Sequence, residues 1–326
     1  MNDTYDNFFK YKDPVSGFIT KPQSAFNKTF TENSPDSTQR WETARELLGP
    51  DWIWYDEDYR VIEYTFDKYG FRNWNDPDDL EDDNYILLTG QSLFEGTGLP
   101  LEESIPYLVE QETGIKCYQA STTGIDAQAI YYNTMNALEI LPKPKHIVTM
   151  PTHAEAKVMT FEVENGKYFN CFDWFGRNRE HICKAYGLEE DFLRQCVDMV
   201  DTSFKSGFSL RQWYEYNSLI DKHNIPSTII AFGHEEGMGS LFDKLTVEPQ
   251  TNGNDRFFDG PNRIRMPLFP HSVSDDFLKL MRINHFYNKE DYNDIPIEWI
   301  NTRARDCIHT GQVNNRKLAK AISHNI

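Results

Sequence analysis

Apolar and polar positions change rhythm close to residue 85. Through residue 82, aromatic and acidic residues interleave without a sustained period. RVIEYTFDKYGFRNW (60–74) alternates in part around a Tyr-Gly pair and predicts strand, turn and extended chain. The acidic run DPDDLEDDN (76–84) predicts a solvated linker. From residue 85, short apolar runs alternate with stretches of helical period. YILLT (85–89), IKCYQA (115–120), HIVTMP (146–151) and STIIAF (227–232) predict buried strands.

Helices are predicted between and after these runs. Residues 101–113 place Ile105, Leu108, Val109 and Glu112 at helical spacing, between Pro100 and Gly114. Residues 125–141 carry Ile130, Thr134, Ala137, Leu138 and Leu141 on one face, and Pro142 and Pro144 stop that helix. Further helices are predicted over 189–204 and 311–323, the last with Leu318 and Ile322 inward. The stretch 234–300 has no clear rhythm and reads as an insertion or lid. Strands separated by helices indicate a parallel sheet covered on both faces. The chain thus divides into an aromatic and acidic extension, 1–82, expected to pack on the core, and an α/β domain, 83–326, with insertions at about 155–205 and 234–300.

Charge narrows the partners. The 326 residues include 33 Lys and Arg against 51 Asp and Glu, a formal net charge of −18, with no basic block. Replacing counterions along phosphates requires clustered cations, so no nucleic-acid partner is expected. An anionic membrane surface is disfavoured for the same reason, and a neutral substrate suits this field better. No apolar stretch approaches the roughly 20 residues of a membrane span. The N-terminal MNDTYDNFFKYKDPVSGF lacks the basic and apolar regions of a signal peptide. Five irregularly spaced cysteines without a C-x-x-C pair support neither a disulfide nor a zinc framework. The expected setting is cytoplasmic, with a virion or other non-classical location left open; oligomeric state is not legible.

Chemistry concentrates at two places. In NYILLTGQSLFEGTG (84–98), Ser92 follows a glycine just past the carboxyl end of the first core strand, where ligands bind in parallel sheets. A serine there is usually a turn or cap residue, and G-x-S-x-G is not met because Phe94 holds the fifth position. Asp306 and His309 stand three apart before the last helix. That spacing lets a carboxylate hold one imidazole nitrogen while the other accepts a proton from a serine. Alone, such a pair is most often solvated at the surface.

Combined, these segments resemble the SGNH (GDSL-type) hydrolase superfamily, as a divergent member with an N-terminal extension. Gly90-Gln91-Ser92 stands where the family has Gly-Asp-Ser, with Gln91 in place of Asp. EGTGLPLEESIPYLVEQ (95–111) resembles the family's following loop and first helix. Gly124 in ASTTGID (120–126) matches its second-block glycine, and Asp306 and His309 match its Asp-x-x-His. FDKYGFRNW (66–74) resembles the lead-in of members with an extension. In the third block, Pro151-Thr152-His153-Ala154 replaces Gly-x-Asn-Asp, so His153, or alternatively Thr152, falls near the oxyanion-binding Asn, against a plain loop histidine.

The resemblance implies a three-layer α/β/α, flavodoxin-like parallel sheet and a serine esterase acting through an acyl-enzyme. Its catalytic set would be Ser92, His309 and Asp306, with an oxyanion hole from Ser92, Gly124 and His153. The substrate would be a small-molecule or carbohydrate ester; the abundant aromatic rings before residue 83 suggest an acylated glycan. A non-catalytic glycan-binding module on the same fold and an acyltransferase are the alternatives. No metal or organic cofactor is implied: GHEEGMGS (233–240) lacks the H-E-x-x-H spacing.

Overall fold

The computed structural model describes residues 4–5, 9–33, 36–150, 158–172, 180, 183–184, 187–201, 215–231, 263–267, 297–301, 303–306 and 309–326. In chain order, six short strands come first: β1 (Thr4–Tyr5), β2 (Phe9–Lys12), β3 (Ile19–Thr20), β4 (Thr29–Phe30), β5 (Glu32–Asn33) and β6 (Tyr64–Thr65). Helix α1 (Thr38–Leu48) lies between β5 and β6 and is capped by the Ser37 side chain, which accepts from the Arg40 amide at 3.2 Å. There follow β7 (Tyr85–Thr89), α2 (Ser92–Glu95), α3 (Ile105–Thr113), β8 (Lys116–Gln119), α4 (Ala127–Ile140) and β9 (His146–Thr149). Beyond these lie β10 (Val158–Glu164), β11 (Lys167–Phe172), α5 (Glu190–Asp201), α6 (215–223), β12 (Ser227–Ala231), β13 (Arg263–Pro267), α7 (Ile297–Ile300) and α8 (Gln312–Ser323).

The central sheet runs β13-β12-β9-β7-β8, every neighbouring pair parallel. Counting its strands along the chain gives the order 2-1-3-4-5, the flavodoxin-like arrangement. The central strands β7 and β9 are buried on both faces, which is why β7 is a continuous apolar run. The two-residue period then sorts side chains between layers. Tyr85, Leu87, Ile147 and Ile229 pack with Ile130 and Ala137 of α4 and with Tyr216 and Ile220 of α6. Ile86, Leu88, Val148 and Ile230 pack with Ile105 and Val109 of α3 and with Leu318 and Ile322 of α8. The result is a three-layer α/β/α fold.

Two elements differ from the sequence-based expectation. The helix expected over 101–113 starts only at Ile105, after a separate 3-10 turn at Leu101–Glu103. Pro106 sets this limit, since its ring and missing N–H fit the first helical turn and no later position. Within the stretch read as an insertion or lid, Arg263–Pro267 is instead an edge strand paired with β12. RIRMP alternates arginines with apolar residues, and an edge strand needs no continuous apolar run. The remaining residues of 234–300, apart from α7, lie outside the described residues.

A second, antiparallel sheet of order β10-β11-β2-β3 joins the first 20 residues to the 158–172 hairpin. Trp41, Trp52 and Trp54 form a further core with Leu99, Ile300 and Ala304. In the acidic linker, Pro77 and Leu80 are buried while the carboxylates face solvent. The four described cysteines are free thiols. Among the described residues, no helix is long and apolar enough to cross a membrane.

Candidate active site

Strand β7 delivers Ser92 to the carboxyl edge of the sheet. A side chain at Gly90 would meet the Met150 carbonyl oxygen at 3.0 Å and the Phe94 ring at 3.1 Å, so only glycine lets the chain leave β7 this close to the end of β9. Ser92 then opens the one-turn helix α2, and its carbonyl accepts from the Gly96 amide at 2.9 Å. Its residue exposure is 9%, so the hydroxyl sits in a sheltered place and not on an open turn.

The Asp-x-x-His segment is built against the loop that follows Ser92. The Arg305 amide donates to the Gly98 carbonyl at 2.9 Å. Gly98 adopts φ +78°, and a Cβ there would lie 2.9 Å from Cγ of Asp306 and 3.0 Å from its Oδ1. The Asp306 carboxylate thus rests on the bare backbone of Gly98, six residues after Ser92. Asp306 Oδ1 accepts from the His309 amide at 3.0 Å, and Oδ2 lies 2.5 Å from His309 Nδ1. This pair is enclosed, contrary to the solvated surface pair that such spacing usually gives; the Asp306 side chain is 0% exposed and that of His309 11%. Burial alone would raise the Asp306 pKa, but the charge and hydrogen bonds of His309, with the Arg40 charge, outweigh it and hold it at about 2. With Nδ1 committed to the carboxylate, Nε2 is the imidazole nitrogen left for proton transfer.

Gly124 lies in the loop after β8, at φ +77°. That loop is tied to the Ser92 loop through Glu95, which the sequence reading did not single out. Glu95 Oε2 accepts from the Thr123 amide and, at 2.9 Å, from the Thr123 hydroxyl; Thr97 and Thr123 share a hydroxyl contact of 2.7 Å. Lys21 Nζ reaches Glu95 Oε1 at 2.8 Å and Asn33 Nδ2 donates to the same oxygen at 2.7 Å. Burial would raise the Glu95 pKa; the charges of Lys21 and Lys10 reverse this and bring it to about 2. His153 and Thr152, the candidate oxyanion side chains, lie outside the described residues, as does 233–240.

Residues before β7 also grip the Ser92 loop and the Asp-x-x-His segment. Arg72 Nη1 donates to the Gly96 carbonyl at 2.7 Å, and Nη2 donates to the Leu99 carbonyl at 2.9 Å. The Gly98 amide donates to the Tyr64 hydroxyl at 2.9 Å, and Tyr64 donates to Asp36 at 2.6 Å. Asp36 takes both Nε (2.9 Å) and Nη2 (2.5 Å) of Arg305, a fully buried ion pair. A charge inside an otherwise apolar, glycine-rich block, as in LFEGTG, is the signal that could have flagged Glu95, because a buried charge requires a partner. Which distant residue supplies that partner is not visible locally.

No protein-family model matches the chain and no curated protein sequence matches it. The solved structures it matches include three SGNH or GDSL-type proteins. One is a G-D-S-L family protein from Desulfitobacterium hafniense DCB-2, at 10% identity over 74% of this chain and 99% of that one, TM-score 0.37. The psychrotrophic esterase EstA from Pseudoalteromonas, in a structure inhibited by monoethylphosphonate, matches at 14% identity over 73% and 93%, TM-score 0.37. AlinE4, an SGNH-hydrolase family esterase, matches at 16% identity over 51% and 68%, TM-score 0.29. The chain resembles that family distantly.

Proposed function

We propose that this chain is a serine esterase that hydrolyses a carboxylic ester through an acyl-enzyme. The observation that carries the reading is the buried Asp306–His309 pair, 2.5 Å apart and seated on Gly98 of the loop that Ser92 opens. Ser92 Oγ attacks the ester carbonyl carbon while its proton passes to His309 Nε2. The tetrahedral intermediate collapses, the C–O bond to the alcohol breaks, and the imidazolium returns the proton to that oxygen. Water then repeats the sequence on the acyl-serine, releasing the acid. Asp306 orients the imidazole and stabilises its charged form. Backbone N–H groups of Ser92 and Gly124 stabilise the oxyanion, with His153 or Thr152 beside them; losing one such donor costs about 3 kcal/mol of barrier.

The case for a glycan ester is weaker than the composition suggests. Trp41, Trp52 and Trp54 are core residues, each 1% exposed, and offer no stacking face. The proposal is therefore an ester of a small alcohol or acyl group, with an acylated sugar as one member of the class.

A fluorophosphonate probe tests the reading. Labelling of the parent and none of Ser92→Ala or His309→Ala is the expected result. A parent that binds glycans but is never labelled would instead be a binding module.

A further inference from the structure

Glu95 has no part in the proton transfers above, yet it is one of the most enclosed charges in the molecule, 1% exposed. Its two oxygens divide the work. Oε1 faces the N-terminal strands, taking Lys21 and Asn33; Oε2 faces the loop after β8, taking both the amide and the hydroxyl of Thr123. Glu95 itself belongs to α2, three residues after Ser92. One carboxylate thus spans the two segments that would supply the oxyanion donors, and it braces them against a third.

The position of Thr123 gives this geometry its consequence. The amide of Gly124 belongs to the peptide that begins at the Thr123 carbonyl. Fixing the Thr123 N–H and Oγ1 on Glu95, and Oγ1 also on Thr97, restricts the backbone torsions that aim that peptide. A donor serves a developing oxyanion only when held to within about 0.5 Å of its productive place. We propose that Glu95 is a positioning residue: gripped by Lys21 and Asn33, it holds the Thr123–Gly124 turn in register with Ser92. This rests on the esterase reading and adds to it an ionic brace, for which part of the extension is required.

Substituting Glu95 alone removes the carboxylate that faces the buried Lys21 ammonium and risks the fold. Thr123→Val avoids this, because it preserves shape and the hydrogen bond that the backbone N–H donates to Glu95 while deleting the hydroxyl. The expected result is a kcat about tenfold lower at unchanged KM, matched by slower fluorophosphonate labelling. Thr123→Ser, which restores the hydroxyl, should recover most of the rate. The double variant Lys21→Met/Glu95→Gln, which removes both charges together, should lower kcat at least as far as Thr123→Val. If the parent is labelled at Ser92 and Thr123→Val keeps the parent kcat, the brace is refuted while the esterase stands. If both Thr123 variants lose the same rate, the hydroxyl is not the cause and the brace is again refuted. If the parent is not labelled at all, both readings fall.

Discussion

At Gly98 a single hydrogen atom decides where a carboxylate sits. The backbone is left-handed there, at φ +78°, and the space a methyl would fill is taken by Asp306. Gly98→Ala imposes both a disfavoured torsion, worth about 1–2 kcal/mol, and displacement of the Asp306 carboxylate. We expect a lower melting temperature together with a loss of the proposed esterase rate larger than the unfolded fraction accounts for. A variant with parent kcat would show that Asp306 needs no such seat. GTG (96–98) is visible in the sequence, and it is not a phosphate loop. Its purpose is not visible, because Asp306 approaches from 208 residues further along the chain. Ser92, Asp306 and His309 were legible as candidates because motif order survives in sequence. The enclosure of the pair was not, since burial depends on what covers it.

Among the elements, those of the central sheet were the most legible. Continuous apolar runs and bracketing Gly or Pro mark β7, β8, β9 and β12 to within two residues. Strand β13 was missed because an edge strand with alternating arginines has no such run. The short strands before residue 66 have two to four residues each, too few for a period to emerge. Their tertiary role is carried by single polar residues. Asp36 is an example, receiving Arg305 through two nitrogens and Tyr64 through its hydroxyl. Asp36→Ala removes the carboxylate facing an arginine that is 0% exposed. Breaking a buried pair this way costs about 3–5 kcal/mol. Chemical denaturation should register a loss of that size; a change below about 1 kcal/mol would mean that the carbonyls of Tyr59 and Arg60, which also accept from Arg305, suffice.

For the whole molecule, buried ionisable groups set the response to acid. Burial holds His146, bonded to Thr228 at 2.9 Å between β9 and β12, neutral down to about 4 instead of 6.5. Glu95 and Asp306 keep their charge down to about 2, from ordinary values of 4.5 and 3.8. In all three cases the unfolded chain takes up the proton at higher pH than the folded one, so acid favours unfolding. The His146 contribution is complete above pH 6.5 and fades toward 4; the carboxylate contributions are complete above about 4.5 and fade toward 2. The melting temperature should therefore fall in two stages on acidification, with His146→Gln flattening the first. A melting temperature constant from pH 7 to pH 3 would contradict this.

The Asp36–Arg305 pair also bears on how the protein comes to be made. Its two members are 269 residues apart. At ribosomal speeds of about 5–20 residues per second, the aspartate emerges on the order of tens of seconds before the arginine that neutralises it. Strands β7, β8 and β9 can assemble in that interval from neighbours already synthesised. Until then Asp36 can bond the Tyr64 hydroxyl, and its ion pair with Arg305 is a late, long-range event whose pace is set by synthesis. A chaperone that recognises exposed tryptophan-rich chain would meet this protein in that window.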